Sequence, residues 1–384
     1  MRLVYVLIGD HDPRSGVGKK VLAQISTLKT AGVDAELVFI SIGNVELPPC
    51  NFIKIIRIDP VPVKNLVGRI KRVLKIRLVF SDIIKSLGSD DILYYRYSHS
   101  LPLFYPLNYL KKLRTCKIVT EHQTIEMTEF RLNNIYPEIL SDGIFGGFLR
   151  QQSDAIIGVT SEITEYEIFR TKKPGIPHIT IGNGIDVRSC PVRTTHPWSD
   201  GNQIDLLCVA GFSRWHGIDR LLEGIAGYRG PVKVILHMVG TGSELPALKK
   251  TVADLKIFNE VVFHGFKTGR DIDVLFDTCH IAVGSLGLHR IGLNEASILK
   301  AREYCARGIP YVIACADPDF PDDFPYIHRV PPDESPVEIE KIIEFAQRLC
   351  AELDHPQKMR AYASQHLDWS VKMKQLKAFL ETAL

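Results

Sequence analysis

Gly292-Leu-Asn-Glu295-Ala-Ser-Ile-Leu-Lys300-Ala-Arg-Glu303-Tyr-Cys-Ala-Arg-Gly308-Ile-Pro310 reads as one short helix, and Tyr311-Val-Ile-Ala-Cys315 behind it as a buried strand. Asn294 or Ser297 is suited to cap the start, alanine and leucine fill the body, and Gly308 with Pro310 ends it. A helix N-terminus at a strand end is where an α/β protein binds phosphate, because its free N–H groups and its dipole favour an anion. On a helix rising about 1.5 Å per residue, Glu295 and Glu303 would stand roughly 12 Å apart along the axis. A glycosidase acid pair needs roughly 5–9.5 Å. The two carboxylates are therefore expected to grip two ends of one elongated ligand rather than flank one bond. A plainer reading stays open here: Lys300 and Glu303 are spaced to pair on a solvated face, and Glu295 to favour the helix start.

Outward from this segment, strands and helices alternate. Before it, strands are predicted at Asp205–Ala210, Val232–Val239, Val261–Phe263 and Ile281–Gly284, with helices at Ile218–Ala226, Glu244–Leu255 and Arg270–Asp277. The first half repeats the rhythm, with strands at Leu3–Ile8, Ala35–Ile40, Phe52–Ile58, Ile92–Tyr95, Lys117–Glu121, Ala155–Val159 and His178–Ile181. Helical patterns lie between most of them, among them Lys19–Ala31, Leu66–Leu87 and Ile144–Gln152. Short apolar runs alternating with amphipathic segments indicate βαβ units on parallel sheets. Residues 1–186 and 204–365 are thus expected to form two doubly wound domains, with the polar, proline-bearing stretch 187–203 as linker. Residues 366–384 read as a C-terminal helix with the option of returning to the first domain. Two such domains would leave a cleft between the carboxyl ends of two sheets, the default place for a nucleotide-linked ligand and a second substrate.

With 384 residues, 45% hydrophobic and 24% charged, the chain has core enough for two domains. A net charge of +3 gives no general argument for nucleic acid. No apolar run approaches the roughly 20 residues of a spanning helix. The opening Met1-Arg-Leu-Val-Tyr-Val-Leu-Ile8, stopped by Gly9-Asp10-His11-Asp12, reads as a first strand and not a signal peptide. Eight scattered cysteines form no C-x-x-C pair, so free thiols in a reducing cytosol are the economical reading.

Asp12-Pro-Arg-Ser-Gly16-Val-Gly18-Lys-Lys20 invites two wrong labels. Pro13 stands where a P-loop's first glycine belongs, and Lys20 where its Ser or Thr belongs; Val21 takes the third glycine's place in G-x-G-x-x-G. What remains is a flexible loop, with Gly16 and Gly18, feeding a helix N-terminus; a plain strand–helix turn reads equally well. Val209-Ala-Gly211-Phe-Ser-Arg214-Trp-His216-Gly217 opens a helix after the second half's first strand, placing Arg214 and His216 where a diphosphate would sit. The competing reading packs Trp215 and leaves His216 on the surface. Met238-Val-Gly240-Thr-Gly242-Ser-Glu244 and Phe263-His-Gly265-Phe266-Lys267 are further strand-end turns along the same rim. No D-x-D or H-E-x-x-H cluster stands at a fitting place, so no metal or cofactor is expected.

Together, in this order and at this spacing, these stretches and Ile181-Gly-Asn-Gly-Ile-Asp186 make the chain resemble a retaining glycosyltransferase of the GT-B fold, of the group 1 or family 4 kind that uses nucleotide-sugar donors. The resemblance covers nearly the whole chain and implies an α/β protein of two Rossmann-like, doubly wound parallel-sheet domains facing across a cleft. It implies that Glu295 contacts the donor sugar and Glu303 the ribose hydroxyls. Backbone N–H groups near Leu299 and Lys300 would hold the diphosphate, and the main chain at Phe266 and Lys267 would read the base. His122, in Val-Thr-Glu-His122-Gln-Thr, corresponds to a histidine near the transferred sugar. Two departures stand out. The lysine of the usual phosphate pair is His216 here and Gly211 falls where the arginine would be, with Arg214 and Lys300 as substitute charges. The usual glycine-rich run inside E-x₇-E is Ala-Ser-Ile-Leu-Lys-Ala-Arg.

The expected reaction is sugar transfer to a saccharide or lipid-linked saccharide in cell-surface polysaccharide synthesis. Arg214, His216, Lys300 and helix N–H groups would stabilise the departing diphosphate, and the resemblance implies front-face transfer with retention. The alternatives are a nucleotide-sugar 2-epimerase of similar architecture and a sugar-nucleotide-binding protein with a dead site. Residues 64–80 place six basic side chains among leucine, isoleucine and valine at near-helical spacing, and Lys111-Lys112-Leu-Arg114 adds a second basic cluster. Such a helix suits an anionic membrane surface, against a core-packed helix with a solvated basic face. The expected location is the cytoplasm, peripheral on the inner face of the membrane.

Overall fold

A computed structural model describes residues 2–9, 15–42, 51–58, 66–97, 116–132, 134–194 and 201–384. They divide into two compact units, Met1–Asn183 with Trp369–Leu384, and Gly184–Asp368.

The first unit is built on seven strands: β1 (Arg2–Gly9), β2 (Asp34–Ser41), β3 (Ile53–Arg57), β4 (Asp91–Arg96), β5 (Lys117–His122), β6 (Ala155–Gly158) and β7 (His178–Thr180). Their order is β3-β2-β1-β4-β5-β6-β7, and every pairing is parallel. Parallel sheets are covered on both faces, which is why β1 is apolar without alternation from Leu3 to Ile8. Leu3, Tyr5 and Leu7 pack on one face with Val21 and Ile25 of the helix Gly16–Thr30 and with Trp369, Met373, Leu376 and Leu380 of the helix Trp369–Ala383. Val4, Val6 and Ile8 pack on the other with Ile76, Phe80 and Ile84 of the helix Leu66–Lys85.

That last packing corrects the reading of residues 64–80 as a helix free to bury its apolar face in a membrane. The apolar face lies in the core, and the exposed side carries Lys71, Leu74, Lys75 and Leu78. Lys64 and the Lys111–Arg114 cluster fall outside the described residues. No helix among the described residues is long and apolar enough to cross a membrane.

The second unit has six strands, β8 (Gln203–Val209), β9 (Lys233–Val239), β10 (Val261–Gly265), β11 (Ile281–Val283), β12 (Tyr311–Ile313) and β13 (Ile327–Arg329). They run in the order β10-β9-β8-β11-β12-β13, again all parallel. Residues 187–194, expected within a linker, fold onto this unit. Val187–Ser189 forms a short 3-10 turn, Arg193 N–H donates to Arg307 O at 2.9 Å, and Thr194 N–H to Asp277 at 3.0 Å.

Candidate functional site

The glutamate helix starts later than its sequence suggests. It runs Leu299–Arg307 behind Ile298, which offers no side-chain cap, and Gly308 ends it in the left-handed conformation at φ 79°. Neither Asn294 nor Ser297 is the cap. Glu295 instead lies in a parallel bridge with Ala316: Ala316 N–H donates to Asn294 O at 3.0 Å and Ala296 N–H to Ala316 O at 2.9 Å. Only Glu303 is on the helix, so the helical spacing derived for the two carboxylates does not apply. Glu303 pairs with Arg307 at 2.9 Å, not with Lys300.

Two basic side chains on this helix do opposite things. Arg302 is fully buried, holds both oxygens of Asp317 and also reaches Asp319, pinning the helix to the segment after β12. Lys300 is only half-buried as a residue, yet its Nζ is enclosed and has no hydrogen-bond partner among the described residues. Burial pushes its pKa below the usual lysine range, with the Cys208 and Cys315 thiols opposing. A buried ammonium without a counter-charge is costly, and this one stands in the first turn of an uncapped helix.

His216 is the neighbour. It closes the turn Arg214–His216, is 4% exposed, and stacks on Trp215 with ring centroids 3.9 Å apart. Its Nδ1 stands 3.0 Å from Ser213 N and 3.3 Å from Ser213 O; the shorter contact, in which the N–H donates to Nδ1, assigns the ring proton to Nε2. Burial, then the Lys300 charge, holds its pKa well below the ordinary value. His216 is therefore a neutral donor through Nε2. Arg214 is exposed, and its carbonyl accepts from Arg290 at 2.9 Å. Arg290, which no motif singles out, also clamps Asp219 (2.9 and 2.8 Å) and Glu334 (2.9 and 2.6 Å).

The turn carrying His216 is set by close backbone approach. Gly217 has φ 63°, and a Cβ there would lie 2.6 Å from Gly287 N; His216 O accepts from Leu286 N–H at 2.8 Å. Gly217→Ala is expected to cost upwards of about 1 kcal/mol and to weaken nucleotide binding. A lowered melting temperature with a raised Kd would show both; unchanged values would mean the loop yields freely.

The other rim turns are stitched to this one within the unit. Phe212 N–H donates to Thr241 O and Gly240 N–H to Gly265 O, each at 2.7 Å, and a Cβ at Gly240 would meet Ala210 O at 2.0 Å. Phe266 is exposed at the rim, and Lys267 pairs loosely with Asp271 at 3.8 Å. In the first unit, Gly16 and Gly18 are not in a loop before the helix but in its first turn, where Ser15 Oγ caps Gly18 N–H at 3.1 Å.

His122 also departs from expectation. It ends β5 but is fully enclosed, stacked on Tyr97 at 4.8 Å, with Nε2 3.1 Å from Thr120 Oγ1 and Nδ1 3.2 Å from a Glu167 oxygen. With Nε2 against Thr120 and Nδ1 against Glu167, neither ring nitrogen is left for a sugar in this geometry. It borders a buried hub: Arg150 donates to Glu167, to Asp142 at 2.9 Å, to Tyr97 Oη at 2.7 Å and to Glu126 at 3.4 Å. Burial, then Glu167, pushes the Glu126 carboxyl well up, and burial raises Glu167 against the opposing Arg150. Burial pushes Asp142 up too, but Arg150 and Tyr97 bring it below its usual range. His122, Glu126 and Glu167 bring ligand-type atoms within 4.8 Å of one another. Arg150 pairs with all three carboxylates, Arg170 shares Asp142 at 3.1 Å, and burial favours the neutral form of Glu126 and Glu167, so the group reads as an ion-pair hub, not a metal centre.

Residues 197–322 match the model of a family described as glycosyl transferases group 1. Among solved structures, sucrose-phosphate synthase from Thermosynechococcus elongatus is 14% identical over 100% of this chain and 99% of its own, with a TM-score of 0.74. A lipopolysaccharide outer core galactosyltransferase, WaaB, is 15% identical over 100% of both chains, at 0.68. HepE from Anabaena, in complex with UDP and glucose, is 16% identical over 99% of both, at 0.65. No curated protein matches the chain in sequence. The fold is that of the GT-B glycosyltransferases. The second unit carries the matched group 1 region, and fold and match together support glycosyl transfer.

Proposed function

We propose that the chain moves a sugar from a nucleotide-sugar donor to a saccharide or lipid-linked saccharide, with retention and without a metal, in cytoplasmic steps of cell-surface polysaccharide assembly. The observation that carries this reading is the uncapped helix start at Leu299 with the enclosed, unpartnered Lys300 Nζ in its first turn and neutral His216 beside it. Free N–H groups, an ammonium and an imidazole N–H converge on what a diphosphate needs. HepE, similar in fold, is solved with UDP and glucose, which supports a nucleotide sugar as donor here.

In the reaction the bond between the anomeric carbon and the phosphate oxygen breaks, and its electron pair leaves with the diphosphate. Lys300, His216, Arg214 and the N–H groups of Leu299 and Lys300 offset that charge. The acceptor oxygen bonds the anomeric carbon, and its proton passes to the departing phosphate. Glu303 holds the ribose, Glu295 the sugar, and the main chain at Phe266–Lys267 the base.

The division between the glutamates gives the test. Glu303→Ala is expected to weaken binding of the free nucleoside diphosphate by about tenfold, one charge-assisted hydrogen bond's worth. Glu295→Ala should spare free nucleotide and depress turnover. Equal loss of free-nucleotide affinity in both would sink the assignment. An epimerised donor with no glycosidic product would replace transfer by epimerisation.

A further inference from the structure

The first unit exposes a continuous apolar ridge that neither sheet nor site uses. Its helical segment runs from Tyr136–Ser141 through a π-turn, Asp142–Gly146, into Gly147–Arg150. The inner side is fixed by buried Ser141, Asp142, Gly146 and Arg150. The outer side carries Tyr136, Leu140, Ile144 and Phe148, all exposed and four residues apart, with Gly143 and Phe145 beside Ile144. That spacing lines them along one side of a helix, and no charged residue interrupts it; half-buried Glu138 lies off it. Phe169, 78% exposed, joins from the helix Ser161–Thr171, whose Arg170 donates to Asp142 O at 2.9 Å. Exposed Arg131, Lys172 and Lys173 lie on or just after the helices that carry the ridge or adjoin it, against a single exposed acid on those helices among the described residues, Glu165, one turn before Phe169.

We propose that this ridge seats the protein on the surface of an anionic bilayer. Scattered exposed apolar residues need no explanation, but a contiguous uncharged set does. Tyr136 is 70% and Leu140 65% exposed, so these side chains stand out from the surface, a shape that inserts into a fluid interface rather than receives a ligand. The stripe is about 18 Å long from Tyr136 to Phe148, enough to lie in the interface and too short to cross it. The basic margin complements anionic headgroups. The helix Leu66–Lys85 offers no equivalent, since its exposed Leu74 and Leu78 alternate with Lys71 and Lys75.

The test is co-sedimentation with vesicles of phosphatidylglycerol and phosphatidylcholine, beside pure phosphatidylcholine. The full chain is expected to bind the anionic vesicles. The triple variant Leu140→Asp, Ile144→Asp, Phe148→Asp should bind at least tenfold more weakly, with unchanged melting temperature and nucleotide affinity. Lys172→Glu with Lys173→Glu should lower binding to the anionic vesicles only. Phe148→Trp keeps an apolar side chain, and its added indole emission should shift to the blue when anionic vesicles are present. No vesicle binding by the wild type, equal binding by the triple variant, or an emission that stays unshifted in vesicle-bound Phe148→Trp protein would overturn the proposal. A dimer that the triple variant dissociates, with no vesicle binding, would assign the ridge to a second copy instead. Nucleotide affinity is read separately, so this proposal and the sugar-transfer reading can fail independently.

Discussion

Lys300→Ala is expected to lower turnover of the nucleotide-sugar donor by roughly 10²- to 10³-fold while leaving the fold as stable as before, or more so. The reason is the same in both measurements. Its Nζ is enclosed without a partner among the described residues, so removing it relieves a desolvation cost in the free protein and deletes a charge from the bound state. The pH dependence follows. A neutral amine offers no charge to a phosphate, so affinity for free nucleoside diphosphate should fall as pH rises through the Lys300 pKa. Burial places that pKa below the ordinary lysine range, so the fall should begin at lower pH than a solvated lysine would give. Binding there takes up a proton, measurable by calorimetry in two buffers of different ionisation heat. Without ligand, the folded state binds fewer protons than the unfolded chain between the two pKa values, so stability rises with pH in that window. An activity loss matched by unfolding, or a proton uptake that persists in Lys300→Ala, would refute the role.

The second large effect concerns stability. Arg150→Met should destabilise the first unit by about 3–5 kcal/mol, because it leaves buried Glu126 and Glu167 without their cation and Asp142 with Arg170 alone. Glu167 and Asp142 are fully enclosed and Glu126 nearly so. In the wild type the depressed Asp142 contributes stability above its unfolded pKa, lost as pH falls through its folded value. In the variant Asp142 would lose most of that depression, and Glu126 and Glu167, already raised, would rise further, so the deficit should shrink on acidification as the carboxyls protonate. Denaturant midpoints across pH check this; a deficit independent of pH would mean that lost packing, not charge, dominates.

Most of the architecture was legible because parallel sheets demand continuous apolar strands, and runs such as Leu3–Ile8 and Leu206–Cys208 have no other economical use. β13 was not, since two of its three residues, His328 and Arg329, are polar and it lies at a sheet edge. The start of the glutamate helix was misplaced because Asn294 and Ser297 are good cap types, while the bridge to Ala316 that keeps Glu295 extended is a tertiary contact. The segment 136–150 was recognised only in part, as the helical pattern Ile144–Gln152: Pro137 and Gly143 are poor helix formers, yet the proline sits in the first turn and Gly143 accompanies a π-turn. The Arg150 hub was invisible because its partners at 97, 126, 142 and 167 share no local pattern. Lys300 and His216 were read as phosphate partners from position alone. That one is enclosed and the other neutral is a product of tertiary packing, which no local pattern encodes.

The chain leaves the first unit after Asn183 and returns to it at Trp369, so in topology the second unit is an insertion. Trp369, Met373, Leu376 and Leu380 fill the face of the first sheet that also takes Leu3 and Ile25. During synthesis, then, the first unit's sheet waits for a helix made after the whole inserted unit, with part of its apolar face open, while the inserted unit has all its residues in hand earlier. Birth order and completion order are reversed. A nascent chain stopped short of Trp369 should hold a protease-resistant second unit attached to a first unit that is still cleavable.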